Sequence, residues 1–315
     1  MKDQVFILLP LWLLFFSPAT QLGSPLPIQE DLVLAGEPTD TIRNPLRPYG
    51  QLDTKLNESS GLIYAGGKLW SINDSGNKSE VYEIDPGTGE VLHTLELVNV
   101  KNKDWEDLAK DDKYLYVGDF GNNQGKRQNL AIYRVPLDKL SESYVFAEII
   151  RFTYEDQASF EPGPIHGFDC EAFAISDGLI HLFTKNRDQE GIHHYSLPAQ
   201  PGDQIANKVE TYQTQGMITA ADISDQKELL LLGFDPLSKD VMIWRFNESE
   251  DHTFFQEDPR HVLIGEWLTL GQAESICWVS ESNGFISNER FEKSVPPISI
   301  PARLYRFQTI IWDNK

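Results

Sequence analysis

A segment of about 20 residues recurs five times along the chain and constrains its fold more than any other feature. Each copy contains an acidic residue, a short apolar stretch, a turn, a second apolar stretch and a polar loop. The apolar stretches alternate with polar residues or form short runs bounded by Gly, Asn and Asp, which is typical of short β-strands. The repetition therefore predicts one small β-sheet per copy. The copies occupy residues 57–77, 104–123, 168–187, 219–236 and 272–290.

One acid stands at the corresponding point of each copy. The intervals between these acids are 48, 65, 51 and 52 residues, a period typical of β-propeller blades. We therefore predict an all-β, five-bladed β-propeller, with one sheet per repeat arranged radially. Six blades are the alternative, if residues 136–167, which lengthen the second interval, contain a divergent blade. The five acids are Glu58, Glu106, Glu171, Asp222 and Glu274.

The ends of the repeat region predict how the ring closes. Each repeat begins at its innermost strand, so the outer strand of one blade precedes the next acid. The last repeat lacks an outer strand, and residues 49–55 precede the first acid. We predict that this N-terminal segment completes the last blade, which leaves no open edge between the first and last blades. The propeller domain is assigned to residues 49–315, and the proline-containing residues 24–48 to an extended lead-in.

The N-terminus has the pattern of a secretory signal. Lys2 is followed by an apolar run over residues 5–16 and a small-residue region over residues 17–24. The run is too short to span a bilayer. We assign residues 1–23 to a signal peptide and expect a secreted or periplasmic protein without a membrane span.

The charge of the chain narrows the choice of partners. The formal net charge is −21, and nucleic acids and anionic membranes both bind cationic surfaces. We therefore exclude both as partners and expect a monomer. The negative charge either keeps an exported protein soluble or contributes to cation binding.

Cys170 and Cys277 lie in separate repeats without metal-ligand spacing, and we expect buried free thiols.

The alternating strand directions place each acid on the same face as the loop that follows the second strand. We call this face the mouth. Five carboxylates around one axis would repel by about 3 kcal/mol per pair at about 5 Å, so some are protonated or a cation lies among them. Oxygen ligands suit Ca²⁺ better than Zn²⁺, which predicts Ca²⁺ on the five acids. The alternative is that each acid binds groups of its own blade and the five never converge. The loops are residues 73–77, 119–123, 185–188, 234–236 and 288–290.

A few side chains at the mouth are candidates for catalysis. Lys185, Arg187 and Arg290 lie in the mouth loops and could bind an anionic group that bridges to the metal. Pairing with nearby acids is the alternative for them. His166 is a candidate acid or base.

Two stretches resemble a known family. The run WEDLAKDDKYLYVG at residues 105–118, and Glu58 with the following GL and GKLW, resemble the calcium-activated nucleotidases (apyrases). A looser likeness extends to phytase-like bacterial propellers. The resemblance implies a secreted five-bladed propeller with Ca²⁺ on Glu58, Glu106, Glu171 and Glu274.

The leading functional hypothesis is a secreted calcium-binding β-propeller that hydrolyses phosphate esters or anhydrides at the mouth. The expected ligand is small and anionic or polyhydroxylated. The alternative is a non-catalytic module that binds a ligand or protein and contains a structural Ca²⁺ ion.

Overall fold

The computed structural model describes residues 41–214 and 216–313, and their regular structure is almost entirely β. The predicted all-β class is confirmed. The assigned signal peptide and residues 24–40 of the lead-in lie outside the described residues. Two short strands come first, β1 (Ile42–Arg43) and β2 (Pro48–Gln51).

Five antiparallel units of four strands follow, which we call meanders, and a parallel strand pair joins the second and third into one eight-stranded sheet. The first contains β3 (Ser59–Ala65), β4 (Lys68–Asn73), β5 (Glu80–Ile84) and β6 (Val91–Leu97). The second contains β7 (Trp105–Lys110), β8 (Tyr114–Asp119), β9 (Leu130–Pro136) and, after the short β10 (Tyr144–Val145), β11 (Glu148–Tyr154). The third contains β12 (Cys170–Ser176), β13 (Leu179–Thr184), β14 (Ile192–Pro198) and β15 (Gly202–Tyr212).

The fourth meander contains β16 (Met217–Ile223), β17 (Glu228–Phe234), β18 (Asp240–Asn247) and β19 (Arg260–Glu266). The fifth is built from β20 (Ala273–Ser280), β21 (Asn283–Asn288), β24 (Arg303–Gln308) and β2, with the hairpin β22 (Phe291–Lys293) and β23 (Ile298–Ile300) inserted. The helices are short: α1 (Trp267–Leu270), α2 (Ile310–Asp313) and 3₁₀ turns at Thr54–Leu56 and Leu137–Lys139.

The first strands of the meanders contact one another in cyclic order. β3 contacts β7, then β12, β16 and β20 follow, and β20 contacts β3. These strands are almost fully buried, and continuous apolar runs are typical of strands covered on both faces. The five first strands therefore form a closed central ring, and the second strand of each meander lies outside this ring.

The N-terminal segment completes the fifth meander, as the sequence predicts. β2 pairs antiparallel with β24, in a register that joins Gln51 to Arg303. The Leu52 amide also donates to the Ala302 carbonyl at 3.0 Å. Residues 136–167 supply β11 as the outer strand of the second meander, while β10 pairs with β6.

Buried carboxylates cross-link the first strands. Asp107 accepts backbone hydrogen bonds from Leu108 at 2.8 Å, Phe173 at 3.3 Å and Ala221 at 3.2 Å, which ties β7 to β12 and β16. Asp222 accepts from the Trp278 amide at 2.7 Å, which ties β16 to β20. Such amide donors offset the cost of desolvating a carboxylate.

Most of the remaining interior is apolar. Clusters of aliphatic and aromatic side chains fill the spaces between neighbouring meanders. Cys170 and Cys277 are buried free thiols, as predicted. Among the helices of the described residues, none is long and apolar enough to cross a membrane.

A buried histidine chain connects the third and fourth meanders. His181 Nδ1 lies 2.9 Å from His194 Nε2, and His194 Nδ1 lies 3.0 Å from Glu210 Oε1. Glu210 in turn accepts backbone hydrogen bonds from Phe254 and Phe255. Burial, reinforced by the neighbouring His194, lowers the pKa of His181 to about 3.

We predict that this chain makes stability depend on pH. The unfolded state binds the His181 proton below its ordinary pKa of about 6.5, whereas the folded state does not until about pH 3. Stability should therefore fall as the pH drops from 6.5, by up to about 1.4 kcal/mol per unit for this group. Urea unfolding at pH 7, 6 and 5 measures the slope. In His181→Gln, stability should fall less steeply with decreasing pH than in the wild type. His93→Gln changes a half-buried histidine that does not belong to the histidine chain, so its stability should keep the wild-type pH dependence. Equal slopes in His181→Gln and the wild type would contradict this account.

Candidate metal centre at the mouth

A β-bulge near the start of each first strand positions the site. In β7, the pairs Trp105–Asp119 and Asp107–Gly118 leave Glu106 as the extra residue. The same shift occurs at Glu171 in β12 and at Glu274 in β20. A bulge redirects a side chain away from the regular ladder. The three glutamates are all nearly buried. Burial, together with repulsion from Glu171, raises the pKa of Glu106, and burial, together with repulsion from Asp169 and Glu274, raises that of Glu171. These three predicted acids are therefore brought together.

The register places the other two predicted acids away from the bulge position, although the charge of Glu58 still acts on Asp74 and Glu289 at the mouth. The corresponding bulge positions are occupied by Ser60 in β3 and Thr219 in β16. Glu58 lies two residues before its bulge and Asp222 three residues after. In the sequence, the regular spacing of the five acids predicts that they are equivalent. In the fold, the equivalent position of each repeat is the bulge. The bulge position is therefore shared by Glu106, Glu171 and Glu274, and calcium binding by all five acids stays a prediction.

The two displaced acids have different surroundings. Glu58 is exposed and accepts a hydrogen bond from Asn77 Nδ2 at 2.5 Å. Asp222 is buried and committed to the backbone amides of Ile223 and Trp278. Burial raises the pKa of Asp222 to about 7. Asp222 therefore acts as a cross-link between strands.

Further acids at the mouth were missed. Asp104 and Asp169 lie two residues before their bulges, which is the position that Glu58 has in the first repeat. An acid at this position in the repeat could therefore have identified both from the sequence. Asp74 and Glu289 lie in two of the loops assigned to the mouth. Their charges act on the glutamates or on one another, so they belong to the same site.

Three of these carboxylates form a compact cluster. One ligand oxygen from each of Asp74, Asp104 and Glu106 lies within 4.8 Å of the others. Burial raises the pKa of Glu106, and the carboxylates of Glu171, Asp74, Asp104 and Asp169 raise it further. Burial also raises the pKa of Asp104, and that of Asp74 to about 6. This part of the mouth therefore concentrates negative charge that is costly to bury.

Gly121 closes one side of this cluster. A methyl group on Gly121 would overlap Glu106 Oε1 and the Asp104 carboxylate. Its amide donates to the Asp104 carbonyl at 3.2 Å. The backbone thus approaches the carboxylates at a distance that only glycine permits.

Basic side chains at the mouth pair with acids outside the cluster. Lys185 Nζ lies 2.9 Å from Glu171, Arg187 is bonded to Asp169, and Arg127 lies 2.7 Å from Asp119. The nearest approach of these cations to the cluster is 3.9 Å, from Arg127 to Asp104. The cations therefore act on the cluster from a longer range: burial keeps the pKa values of Asp104 and Asp74 raised, while Arg127 lowers the pKa of Asp104 and Lys185 that of Asp74.

The predicted catalytic candidates divide into two pairs. Lys185 and Arg187 lie at the mouth, as their ion pairs with Glu171 and Asp169 show. Arg290 is exposed and pairs with Glu292 at 2.5 Å. The His166 ring packs on Gly125, and its Nδ1 accepts the Phe168 amide hydrogen at 3.2 Å. The His166 Nε2 atom is buried and has no hydrogen-bond partner among the described residues.

Glu289 and a side cavity complete the site. Burial and repulsion from Glu274 raise the pKa of Glu289 to about 9, and a raised carboxyl pKa favours the protonated form that can donate a proton. A cavity of about 240 Å³ opens beside Glu274. Its lining consists of Lys185, Phe234, Lys239, Trp267, Gln272 and Glu274.

No protein-family model matches the chain, and no curated protein sequence matches it.

Solved structures similar to the chain include β-propeller proteins. A gluconolactonase from Xanthomonas campestris is 10% identical over 79% of this chain and 72% of its own, with a TM-score of 0.42. A GH43_1 enzyme from Xanthomonas citri in complex with xylose is 14% identical over 84% and 89%, with a TM-score of 0.43. The WD40 β-propeller domain of Doa1 is 9% identical over 77% and 66%, with a TM-score of 0.32. With TM-scores below 0.5, these likenesses carry no argument about activity.

Proposed function

We propose that the protein is an exported five-bladed β-propeller of residues 49–315 that binds Ca²⁺ at its mouth and hydrolyses phosphate esters or anhydrides there. The cyclic contacts of the five first strands and the pairing of β2 with β24 support the five-bladed architecture. The apolar run at residues 5–16 supports export.

One observation carries the metal proposal. Glu106 is 7% exposed, adjoins several other carboxylates and bonds to none of the basic side chains at the mouth. Asp74 and Asp104 supply further oxygens within 4.8 Å. Hard oxygen ligands with loose geometry fit Ca²⁺, and a divalent cation there would offset the repulsion that raises the pKa values of all three acids. Asp74, Asp104 and Glu106 would therefore hold the ion.

Neighbouring side chains can perform the remaining steps of phosphoryl transfer. A bound Ca²⁺ ion would act as a Lewis acid on a phosphoryl oxygen. Lys185 and Arg187 place positive charge beside it, where a transferring phosphoryl group needs it. Water would attack phosphorus and lose a proton as the bond from phosphorus to the leaving oxygen breaks. The Glu289 carboxyl can give its proton to the leaving group and regain one from that water.

The non-catalytic alternative rests on a different observation. Lys185 and Arg187 already pair with Glu171 and Asp169, so binding a phosphate requires them to share or exchange those partners. If they do not, the ion only joins the first and second meanders, which contribute Asp74 and Glu106.

We predict that Ca²⁺ raises the melting temperature and that EDTA reverses the gain. In Glu106→Gln the calcium response should be lost. The metal-free variant should melt at least about 2 °C above the metal-free wild type, because a buried repelling charge is removed. Differential scanning calorimetry with and without Ca²⁺ measures both effects.

Glu281→Gln serves as the matched control for this experiment. It removes one exposed carboxylate from the turn between β20 and β21 and should keep the full calcium response. A wild-type response in Glu106→Gln would contradict the assignment of this ligand.

We predict that Gly121→Ala weakens calcium binding at least tenfold, because its methyl group would displace the Glu106 and Asp104 carboxylates. Isothermal titration calorimetry with CaCl₂ measures the change. Gly163→Ala is the control, since a methyl group at Gly163 meets nothing within 4 Å. Equal affinities in both variants would show that the ion binds elsewhere.

We predict calcium-dependent release of phosphate from at least one of a sugar phosphate, a nucleoside diphosphate, phytate and p-nitrophenyl phosphate. Lys185→Gln should lower kcat/KM at least 100-fold by removing the positive charge nearest Glu171. Phosphate release is measured with and without EDTA. If the protein binds Ca²⁺ but turns over none of these compounds, the non-catalytic alternative stands.

A further inference from the structure

We propose that the side cavity at the mouth binds a sugar ring, so that the substrate is a sugar phosphate whose ring lies against Trp267. This inference rests on the proposed function, since it names the substrate class of the same site. The cavity lies between the fourth and fifth meanders, which contribute Phe234 from β17 and Glu274 from β20.

The position of the cavity connects it to the candidate metal centre. Lys185 lines the cavity and lies 2.9 Å from Glu171, and the charge of Glu171 in turn raises the pKa of Glu106. Glu274, on the cavity wall, also raises the pKa of Glu289. A ligand in the cavity therefore adjoins both the cationic and the acidic groups of the mouth.

The composition of the lining suits an amphipathic ring. Trp267 and Phe234 are half-buried and supply apolar surface, and Trp267 is held at 4.6 Å from Phe291 between ring centroids. Lys185, Gln272 and Glu274 supply donors and acceptors. Sugars present hydroxyl groups around their edge and C–H groups on their faces, so one ring can satisfy both kinds of surface.

The buried charges disfavour a purely aromatic ligand. Glu274 is 9% exposed and receives only a long hydrogen bond of 3.4 Å, from Gln272. An aromatic ring would cover Glu274 without offering it a new partner, and a buried polar group without a partner destabilises the complex. Sugar hydroxyls can donate to Glu274 and accept from Lys185.

The size of the cavity sets the extent of the ligand. A volume of about 240 Å³ holds about eight water molecules at their liquid volume. It therefore accommodates one monosaccharide ring and excludes a longer oligosaccharide from the same space.

Binding of neutral sugars tests this inference separately from hydrolysis. Methyl glycosides of glucose, mannose and xylose carry no phosphate ester, and saturation-transfer NMR measures their binding to the calcium-loaded full-length protein. Glycerol and 4-nitrophenol serve as comparison probes. We expect saturable binding of at least one glycoside, weakened at least tenfold in Trp267→Ala and less in Trp267→Phe.

Two further variants distinguish a loss of glycoside binding from a loss of folding. Gln272→Ala removes a polar group of the lining and should weaken glycoside binding while the backbone of β20 is kept. Leu268→Ala changes the exposed neighbour of Trp267 in α1 and should not change it. The calcium-dependent rise in melting temperature reports that each variant is folded.

The outcomes separate the two proposals. Trp267-dependent glycoside binding without phosphate release supports the sugar cavity and removes the hydrolase. Calcium-dependent phosphate release without glycoside binding overturns the sugar cavity and keeps the hydrolase. Glycoside binding that is equal in Trp267→Ala and wild type, or Trp267-dependent binding of 4-nitrophenol alone, also overturns the sugar cavity.

Discussion

Burial of carboxylates where the first strands meet is the interaction on which the site depends. A carboxylate removed from water needs hydrogen-bond donors or a counter-charge, or it takes up a proton. The described residues place Asp107, Asp222, Glu106, Glu171 and Glu274 in this environment. How each acid is compensated decides whether it serves the fold or the site.

The compensation differs along the first strands. Asp107 and Asp222 are satisfied by backbone amides of neighbouring strands, so their charges hold meanders together. At the bulges, Glu171 forms an ion pair with Lys185. Glu106 lies instead beside further carboxylates and the backbone of Gly121. The cluster of Asp74, Asp104 and Glu106, which the cations of the mouth approach no closer than 3.9 Å, is the part suited to an added cation.

The sequence predicted the fold better than the site. Alternating apolar stretches and Gly-containing turns are local signals, and they identified the main strands of the repeats and the closing role of residues 49–55. They did not identify the short strands β10, β22 and β23. Glu58 and Asp222 were misaligned because a bulge adds a residue to one strand without any fixed residue type marking it. The acids of the actual cluster come from different meanders, and only the tertiary arrangement brings Asp74 to Glu106. The raised pKa of Glu289 likewise follows from burial beside Glu274, which no interval between residues encodes.

The central claim is that a divalent cation compensates the cluster at the mouth. A crystal structure grown with Ca²⁺, with anomalous data collected at a long wavelength, tests this claim most directly. The account predicts an anomalous peak within about 2.6 Å of oxygens from Asp74, Asp104 and Glu106. A calcium-saturated crystal with no peak there, and with these carboxylates bonded to Arg127 or to water alone, would contradict it.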